Sequence, residues 1–355
     1  MNQTIPNADF WSGRRVLLTG HTGFKGAWLA LVLRSLGADV VGLALPPTTE
    51  PNLYGALGLQ GKMPEYLGDL RNAKWVASVI ESVCPEIVLH LAAQALVRPS
   101  YEDPLTTYAT NFMGTAHVLD ALRTPKTLRV ALMVTTDKVY RNLERIEPYA
   151  ESAELGGYDP YSASKAASEI LIASYRQSFL QAQGVCVMSA RAGNVIGGGD
   201  WSADRLIPDA VRAWNRSEVV KIRRPDAVRP WQHVLEPVCA YLILAQKACQ
   251  HPEKMARSWN IGPDGVASVR DVMVLAQNAF GFGDVEFASS IDGPHEAGFL
   301  SLDTSLVRDE IGIAPRWDLS TAVNKTMNWY RDFHDGADAS YLCSRDWKAY
   351  SENDA

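Results

Sequence analysis

The sequence predicts an α/β fold, a doubly wound parallel sheet carrying a smaller α/β lobe toward the C-terminus. Three observations predict it. Uninterrupted apolar runs of strand length recur through the first half of the chain, as strands covered on both faces require. Segments with helical apolar spacing alternate with them. The first run feeds straight into a glycine-rich turn and then into such a helix.

The elements follow in order. Val16–Thr19 is the first strand and stops at Gly20. Phe24–Leu36 carries Trp28, Leu29, Val32, Leu33 and Leu36 at helical spacing and stops at Gly37. Val40–Leu45 and Glu65–Leu67 are the second and third strands. Ile87–Leu91 and Val130–Thr135 follow as buried strands, with the helix Asn111–Leu122 between them. Val185–Arg191 is a further strand, and Val219–Arg224 and Trp259–Ile261 are short ones. The last hundred residues mix short helices and loops, and the polar tail, 336–355, is expected to be poorly ordered.

Composition excludes several classes. The 355 residues are 47% hydrophobic and 21% charged, enough for a large core without metal or disulfide staples. A net charge of −6 disfavours a general nucleic-acid or anionic-membrane binder. The five cysteines, at 84, 186, 239, 249 and 343, form no CxxC pair. The seven histidines show no metal-site spacing. The N-terminus, MNQTIPNADFWSGRR, has no apolar run of signal-peptide type and no stretch reaches the length of a membrane span, so a soluble cytoplasmic protein is expected.

Chemistry concentrates at three places. In Thr19-Gly20-His21-Thr22-Gly23-Phe24-Lys25-Gly26 the glycines are spaced G-x-x-G-x-x-G between a strand and a helix. Gly20 permits the turn, Gly23 lets a pyrophosphate reach the helix N-terminus, and Gly26 lets the helix pack closely. Placed at the first strand–helix junction, the spacing points to a Rossmann-like unit with a dinucleotide as its ligand; the alternative is a glycine-rich connection with no ligand. The second strand runs into Leu43-Ala44-Leu45-Pro46-Pro47 without a carboxylate for the adenosine ribose. His21 and Lys25 suit a 2′-phosphate, so NAD and NADP both stay open. Asp69, after the third strand, is placed to accept from the adenine amino group, or is a plain turn residue.

Of thirteen tyrosines only Tyr161 has a lysine four residues on, Lys165. Asp159 as N-cap and Pro160 at the first position open a helix there, so the pair shares a face. An ammonium near a phenol lowers its pKa and suits it to exchange a proton with a hydroxyl. Thr136-Asp137-Lys138 stands at the end of the fifth strand, where ligands of such sheets bind. Thr136 suits a hydrogen bond to a reacting hydroxyl. Asp137 and Lys138 add an acid and a base that a plain dehydrogenase does not need.

Together these motifs resemble the extended short-chain dehydrogenase/reductase superfamily and its nucleotide-sugar branch. Thr136-Asp137-Lys138, with lysine where most 4,6-dehydratases have glutamate, is similar to the CDP-glucose 4,6-dehydratase family. So are Ala92-Ala93-Gln94 through Val97-Arg98, Gly156–Ser162, Arg191–Trp201, Arg205–Pro208, Arg229–Pro237 and Pro294-His295-Glu296-Ala297. The sequence departs from that family at Leu143-Glu144-Arg145, where members commonly have a tryptophan after the asparagine equivalent to Asn142.

The resemblance implies a dehydratase that oxidises C4 of CDP-glucose, eliminates water across C5–C6 and returns the hydride to C6. It implies a bound NAD, NADP not excluded, held by Gly20, Thr22, Gly23, Phe24, Lys25, Gly26, Asp69, Leu70, Leu91, Ala92 and Ala93, with Tyr161 and Lys165. Thr136, Asp137, Lys138, Tyr161 and Lys165 are the implied catalytic residues, with Lys138 either the C5 base or a cation stabilising the enolate. Gln94, Arg98, Asn194, Trp201, Arg205, Leu206, Arg229 and His295 are the implied substrate contacts. Arg191 and His233 are expected to be structural, and a core role for Trp201 is an equal alternative. A homodimer is expected, as is a role in deoxysugar biosynthesis of the lipopolysaccharide O-antigen type. Residues 10–192, with about 230–262, are assigned to dinucleotide binding, and 193–229 with 263–335 to the nucleotide sugar. A nucleotide-sugar 4-epimerase and a non-catalytic dinucleotide sensor remain as alternatives.

Overall fold

A computed structural model describes residues 5–289 and 297–352. His295, and with it most of the Pro294–Ala297 string, lies outside the described residues. Seven strands form one parallel sheet: β1 Arg15–Thr19, β2 Asp39–Ala44, β3 Glu65–Leu67, β4 Ile87–His90, β5 Val130–Val134, β6 Cys186–Ala192 and β7 Ser258–Ile261. Their spatial order is β7-β6-β5-β4-β1-β2-β3. The order reverses at β1, which pairs with both neighbours: Val16 lies opposite Val40 of β2 and Ile87 of β4. The crevice beyond the carboxyl ends of β1 and β4 is therefore the place where such a sheet binds ligands.

Helices cover both faces because the strands are apolar on both. Val16 and Leu18 of β1 face one side, with Trp28, Leu29, Val32 and Leu33 of α1 (Phe24–Ser35). Leu17 faces the other, with Val76, Val79 and Ile80 of α2 (Ala73–Val83) and Val118 and Leu119 of α3 (Gly114–Ala121). This is the period-two alternation of a strand with no solvent face. The Tyr161 helix, α4 (Pro160–Tyr175), joins the second side through Ile172. Downstream, α5 (Leu206–Asn215), α6 (Leu235–Gln250), α7 (Val269–Phe280) and α8 (Leu319–His334) complete the first side.

The tail departs from the expectation of poor order. Residues Ala339–Glu352 form a helix, α9, that buries Ala339, Leu342, Cys343, Asp346 and Tyr350 on one face. These positions recur at intervals of three and four, the spacing of a packed helix. The Tyr350 hydroxyl donates to Glu236 Oε2 at 2.7 Å. Glu236 also accepts from the Trp317 amide at 2.9 Å. A buried carboxylate on α6 thus ties the tail to the core. Among the described residues no helix is long and apolar enough to cross a membrane.

Candidate active site

The strand-to-helix turn after β1 is built on two close approaches. Gly20 has φ +78°, and a Cβ there would stand 2.8 Å from the Ala92 nitrogen. A Cβ at Gly26 would overlap the Gly20 carbonyl, so the first turn of α1 folds directly onto the loop. Gly23, the N-cap of α1, has no side-chain cap and no close neighbour beyond Gly20 O at 3.5 Å. An open backbone at the N-terminus of a twelve-residue helix suits an anionic pyrophosphate. The residues present therefore fit a dinucleotide. Thr22 Oγ1 donates to Leu45 O at 2.8 Å and fixes the loop against the end of β2.

The loop borders a cavity of about 1240 Å³. That exceeds the usual range for one small ligand and suits a cofactor and a substrate together. The cofactor residues named from sequence, Gly20, Thr22, Gly23, Phe24, Lys25, Gly26, Asp69, Leu70, Leu91, Ala92 and Ala93, all line it. At one end Asp69 is engaged by Arg71, whose Nε and Nη2 donate to Oδ2 at 2.9 and 2.6 Å. That partner holds the Asp69 carboxyl below its usual range.

The expectation that His21 and Lys25 serve a 2′-phosphate is corrected. His21 is buried, its ring pressed against Gly42 of β2, and its Nε2 lies 2.9 Å from Glu65 Oε2. Burial lowers its pKa, outweighing Glu65. Lys25 has Arg205, Asp137, Lys165 and Lys138 as its charged neighbours, so it stands at the other end of the cavity from Asp69. Burial, helped by the neighbouring cations and opposed by Asp137, pushes its ammonium down to about 7.

The other end holds the catalytic candidates. Asp159 caps α4 through a capping box with Ser162, and Pro160 follows it, as the sequence predicts. Tyr161 and Lys165 are both buried on the cavity wall. Lys165 Nζ donates to Val134 O at 3.3 Å. Burial pushes its ammonium down to about 8, with Glu169 opposing. The Tyr161 phenol is raised, not lowered as expected, because burial outweighs the Thr136 hydrogen bond and Arg205.

Thr136 Oγ1 donates to Asp137 Oδ1 at 2.9 Å. Lys138 Nζ donates to the same oxygen at 3.1 Å and to Asn194 Oδ1 at 3.3 Å. Asp137 is fully buried, and its Oδ2 has no hydrogen-bond partner among the described residues. The acid is thus held by one oxygen with the other left over.

The substrate candidates divide. Gln94, Arg98, Asn194, Trp201, Arg205, Leu206 and Arg229 line the cavity. The Gln94 side chain is spent on the local turn, donating to Leu96 O and Thr107 Oγ1 and accepting from Leu96 N. Arg98 pairs with Asp204 at 3.3 Å. Arg205 Nη2 donates to Ala95 O at 3.2 Å. Arg229 is buried and donates to the carbonyls of Val228 and Ala297. Trp201 packs on Trp329, Tyr330 and Phe333, so it is wall and core at once.

Arg191 and His233 are structural, as anticipated. His233 sits between Trp28 and Trp317 and accepts from the Leu235 amide at 3.3 Å. Arg191 pairs with Glu169 at 2.8 Å in the interior. Glu169 escaped the sequence reading. It also accepts from Thr135 Oγ1 at 2.5 Å and Ser189 Oγ at 2.8 Å, beneath the site. Its signal was a carboxylate four residues beyond Lys165, on a helix face otherwise made of small and apolar residues. Among the described residues no group of His, Cys, Asp and Glu could hold a metal.

A glycine cradle at the switch point of a parallel sheet, with a buried tyrosine and lysine facing it, defines a dinucleotide-dependent enzyme class. The chain belongs to the NAD dependent epimerase/dehydratase family, which it matches over residues 16–262, and its cofactor is NAD. It is 41% identical over 345 residues to the CDP-glucose 4,6-dehydratase of Salmonella typhimurium, covering 95% of this chain and 96% of that one. Solved structures share the fold. UDP-glucose-4-epimerase from Stenotrophomonas maltophila, with bound NAD, has a TM-score of 0.79 at 22% identity, over 91% of this chain and 100% of that one. The dTDP-glucose 4,6-dehydratase of Bacillus anthracis, in complex with NAD, has 0.77 at 20%, over 91% and 98%.

Proposed function

We propose that the protein is a nucleotide-sugar 4,6-dehydratase, a hydro-lyase that converts CDP-D-glucose to CDP-4-keto-6-deoxy-D-glucose. The observation that carries this is Asp137, fully buried beside Thr136 and Lys138 and with Oδ2 unpartnered among the described residues. An epimerase needs no elimination acid there, whereas a dehydratase does. The similarity to the Salmonella enzyme supports cytidine as the nucleotide.

When bound, NAD supplies the hydride acceptor for C4 and the donor that later reduces C6. The glycine loop and Lys165 hold it. Tyr161, as phenolate, takes the C4 hydroxyl proton, and Thr136 hydrogen-bonds the same oxygen. The C4 ketone acidifies the C5 proton. Asp137 enters the elimination with a proton on Oδ2 and gives it to the departing C6 hydroxyl. Lys138 holds Oδ1 and supports the enolate. Residues 193–229 and 263–335 form the nucleotide-sugar lobe in this reading, against residues 10–192 with about 230–262 for the dinucleotide. Arg205 and Arg229 face the diphosphate there.

The protein acts in the cytoplasm as a homodimer, in the supply of deoxysugars for a lipopolysaccharide O-antigen. For the dimer, the support is an exposed apolar set: Tyr101, Leu105, Tyr108 and Met113, with Ile170 on α4, against which the 104–113 segment packs.

The test is incubation with NAD and, separately, CDP-, dTDP-, UDP- and GDP-glucose. Loss of water from CDP-glucose alone, seen by mass spectrometry, is the expected result. Deuterium placed at C4 should appear at C6. A 4-epimer with the label back at C4 would replace the reading with an epimerase.

A further inference from the structure

Lys25 is the cleft lysine for which cofactor binding provides no task. It is the second residue of α1, where a pyrophosphate is met by backbone N–H groups. Its charged neighbours are Arg205, Asp137, Lys165 and Lys138, all at the sugar end. Four basic side chains therefore crowd around Asp137 in the cleft. Such crowding is relieved when one lysine gives up its proton.

The neighbours differ in how their side chains are engaged. Arg205 stays protonated in any protein environment. Lys165 donates to Val134 O and has Glu169 nearby in support of its charge. Lys138 donates to both Asp137 Oδ1 and Asn194 Oδ1, which hold its Nζ at the acid, and its side chain is 30% exposed. Lys25 makes no side-chain hydrogen bond among the described residues and lines the cavity. We infer that Lys25 is the catalytic residue that takes the C5 proton, and that Lys138 is a positioning residue acting through Asp137. The inference rests on the dehydratase reading.

The step balances. The neutral Lys25 amine takes H⁺ from C5 of the 4-keto sugar, and the C–H electron pair becomes the enolate. The enolate expels the C6 oxygen, which leaves as water with the proton of Asp137. The Lys25 ammonium returns its proton to C5 as C6 is reduced. The proton left on Tyr161 then reaches Asp137 through solvent, which resets the site.

The product offers a direct test, because its C5 proton is acidic and exchange needs the base but no redox step. Holoenzyme and CDP-4-keto-6-deoxyglucose are mixed in D₂O, and mass spectrometry follows deuterium entry at C5. Lys25→Met should slow exchange by about 10²-fold or more, the loss expected for a general base. It should slow exchange at least tenfold more than Lys138→Met does. Lys25→Arg should not restore it, because a guanidinium cannot accept the proton. With CDP-glucose, Lys25→Met should accumulate the absorbance of reduced nicotinamide, since C4 oxidation is intact. Removing a half-buried charge should leave its thermal midpoint no lower than that of the wild type. Exchange by Lys25→Met at the wild-type rate, rescue by arginine, or loss of NAD binding in a fluorescence titration would each overturn the assignment. If wild-type enzyme releases no water from CDP-glucose, the dehydratase reading itself falls, whatever the variants do.

Discussion

Replacing Glu169 by Gln should destabilise the protein sharply, and a second substitution should undo much of the damage. Glu169 pairs with Arg191 at 2.8 Å, with side-chain exposures of 5% and 4%. It also accepts from Thr135 and Ser189. Glutamine keeps the shape and an acceptor for the hydroxyls but leaves the guanidinium buried without its counter-charge. Breaking a buried pair in this way costs about 3–5 kcal/mol. An unfolding entropy of about 2.1 cal/mol/K per residue, or about 0.75 kcal/mol/K for this chain, converts that to a fall of roughly 4–7 °C. Adding Arg191→Met removes the stranded charge and should recover at least half of the loss. Thermal unfolding by circular dichroism, with and without NAD, measures both. A single variant within about 1 °C of wild type, or a double variant no better than the single, would refute the assignment of the pair as the anchor beneath β5.

Gly26→Ala drives a Cβ into the Gly20 carbonyl; overpacking of about 1–3 kcal/mol should weaken NAD binding by roughly 5–150-fold in a calorimetric titration, and unchanged affinity would remove Gly26 from the cradle. Tyr161→Phe should cut turnover by about 10²–10⁴-fold. Because burial raises the Tyr161 phenol, wild-type reduction of NAD by substrate should speed up with pH across the neutral range; a flat stopped-flow profile would deny the phenolate its role. Burial holds Asp346 up at about 6, against the opposing Arg345 and Lys325, so the native state binds this proton more tightly than the unfolded chain. Its stabilising effect, full below about pH 4, is lost as pH rises through about 6. Relative to Asp346→Asn, the wild type should lose on the order of 3 kcal/mol between pH 4 and 7 in urea titrations, and a constant difference would contradict this.

The sheet was legible because its signals are local. The strands β1, β4 and β5 are apolar on both faces, and each stops where a turn residue or polar cluster begins. The capping box at Asp159 and the glycine spacing are likewise written in neighbouring residues. What escaped depends on long-range packing. The tail looked polar because its apolar positions are diluted by charge, yet one helical face carries Leu342, Cys343 and Tyr350 to Glu236, more than a hundred residues away in sequence. The direction of the Tyr161 shift was missed for the same reason. Spacing puts Lys165 on its helix face, but only the assembled cleft shows how strongly burial opposes ionisation. Gln94 lines the cavity, but that its side chain also bonds Leu96 of its own turn was not readable from spacing.

A reaction that removes a hydride and later returns it requires the cofactor to stay in place throughout, and the two lips of the crevice are joined accordingly. Thr19, the last residue of β1, accepts from the amides of Leu91 and Ala92, which follow β4, each at 3.1 Å. With both lone-pair positions taken, its hydroxyl hydrogen is left to donate to His90 Nδ1 at 2.8 Å. That fixes the His90 proton on Nε2, which reaches Thr115 Oγ1 at 3.1 Å, and Thr115 in turn donates to Asn111 O at 2.6 Å. The chain has one direction, and every member is satisfied by a neutral imidazole. Burial pushes His90 down to about 3, in agreement with that tautomer. Asn111 continues the line to Ser164 on α4 at 2.9 Å, in the turn that carries Tyr161 and Lys165. The phosphate loop and the catalytic helix are therefore held in register by hydrogen bonds that no change of pH in the neutral range disturbs. Titration is left to the residues that face the sugar.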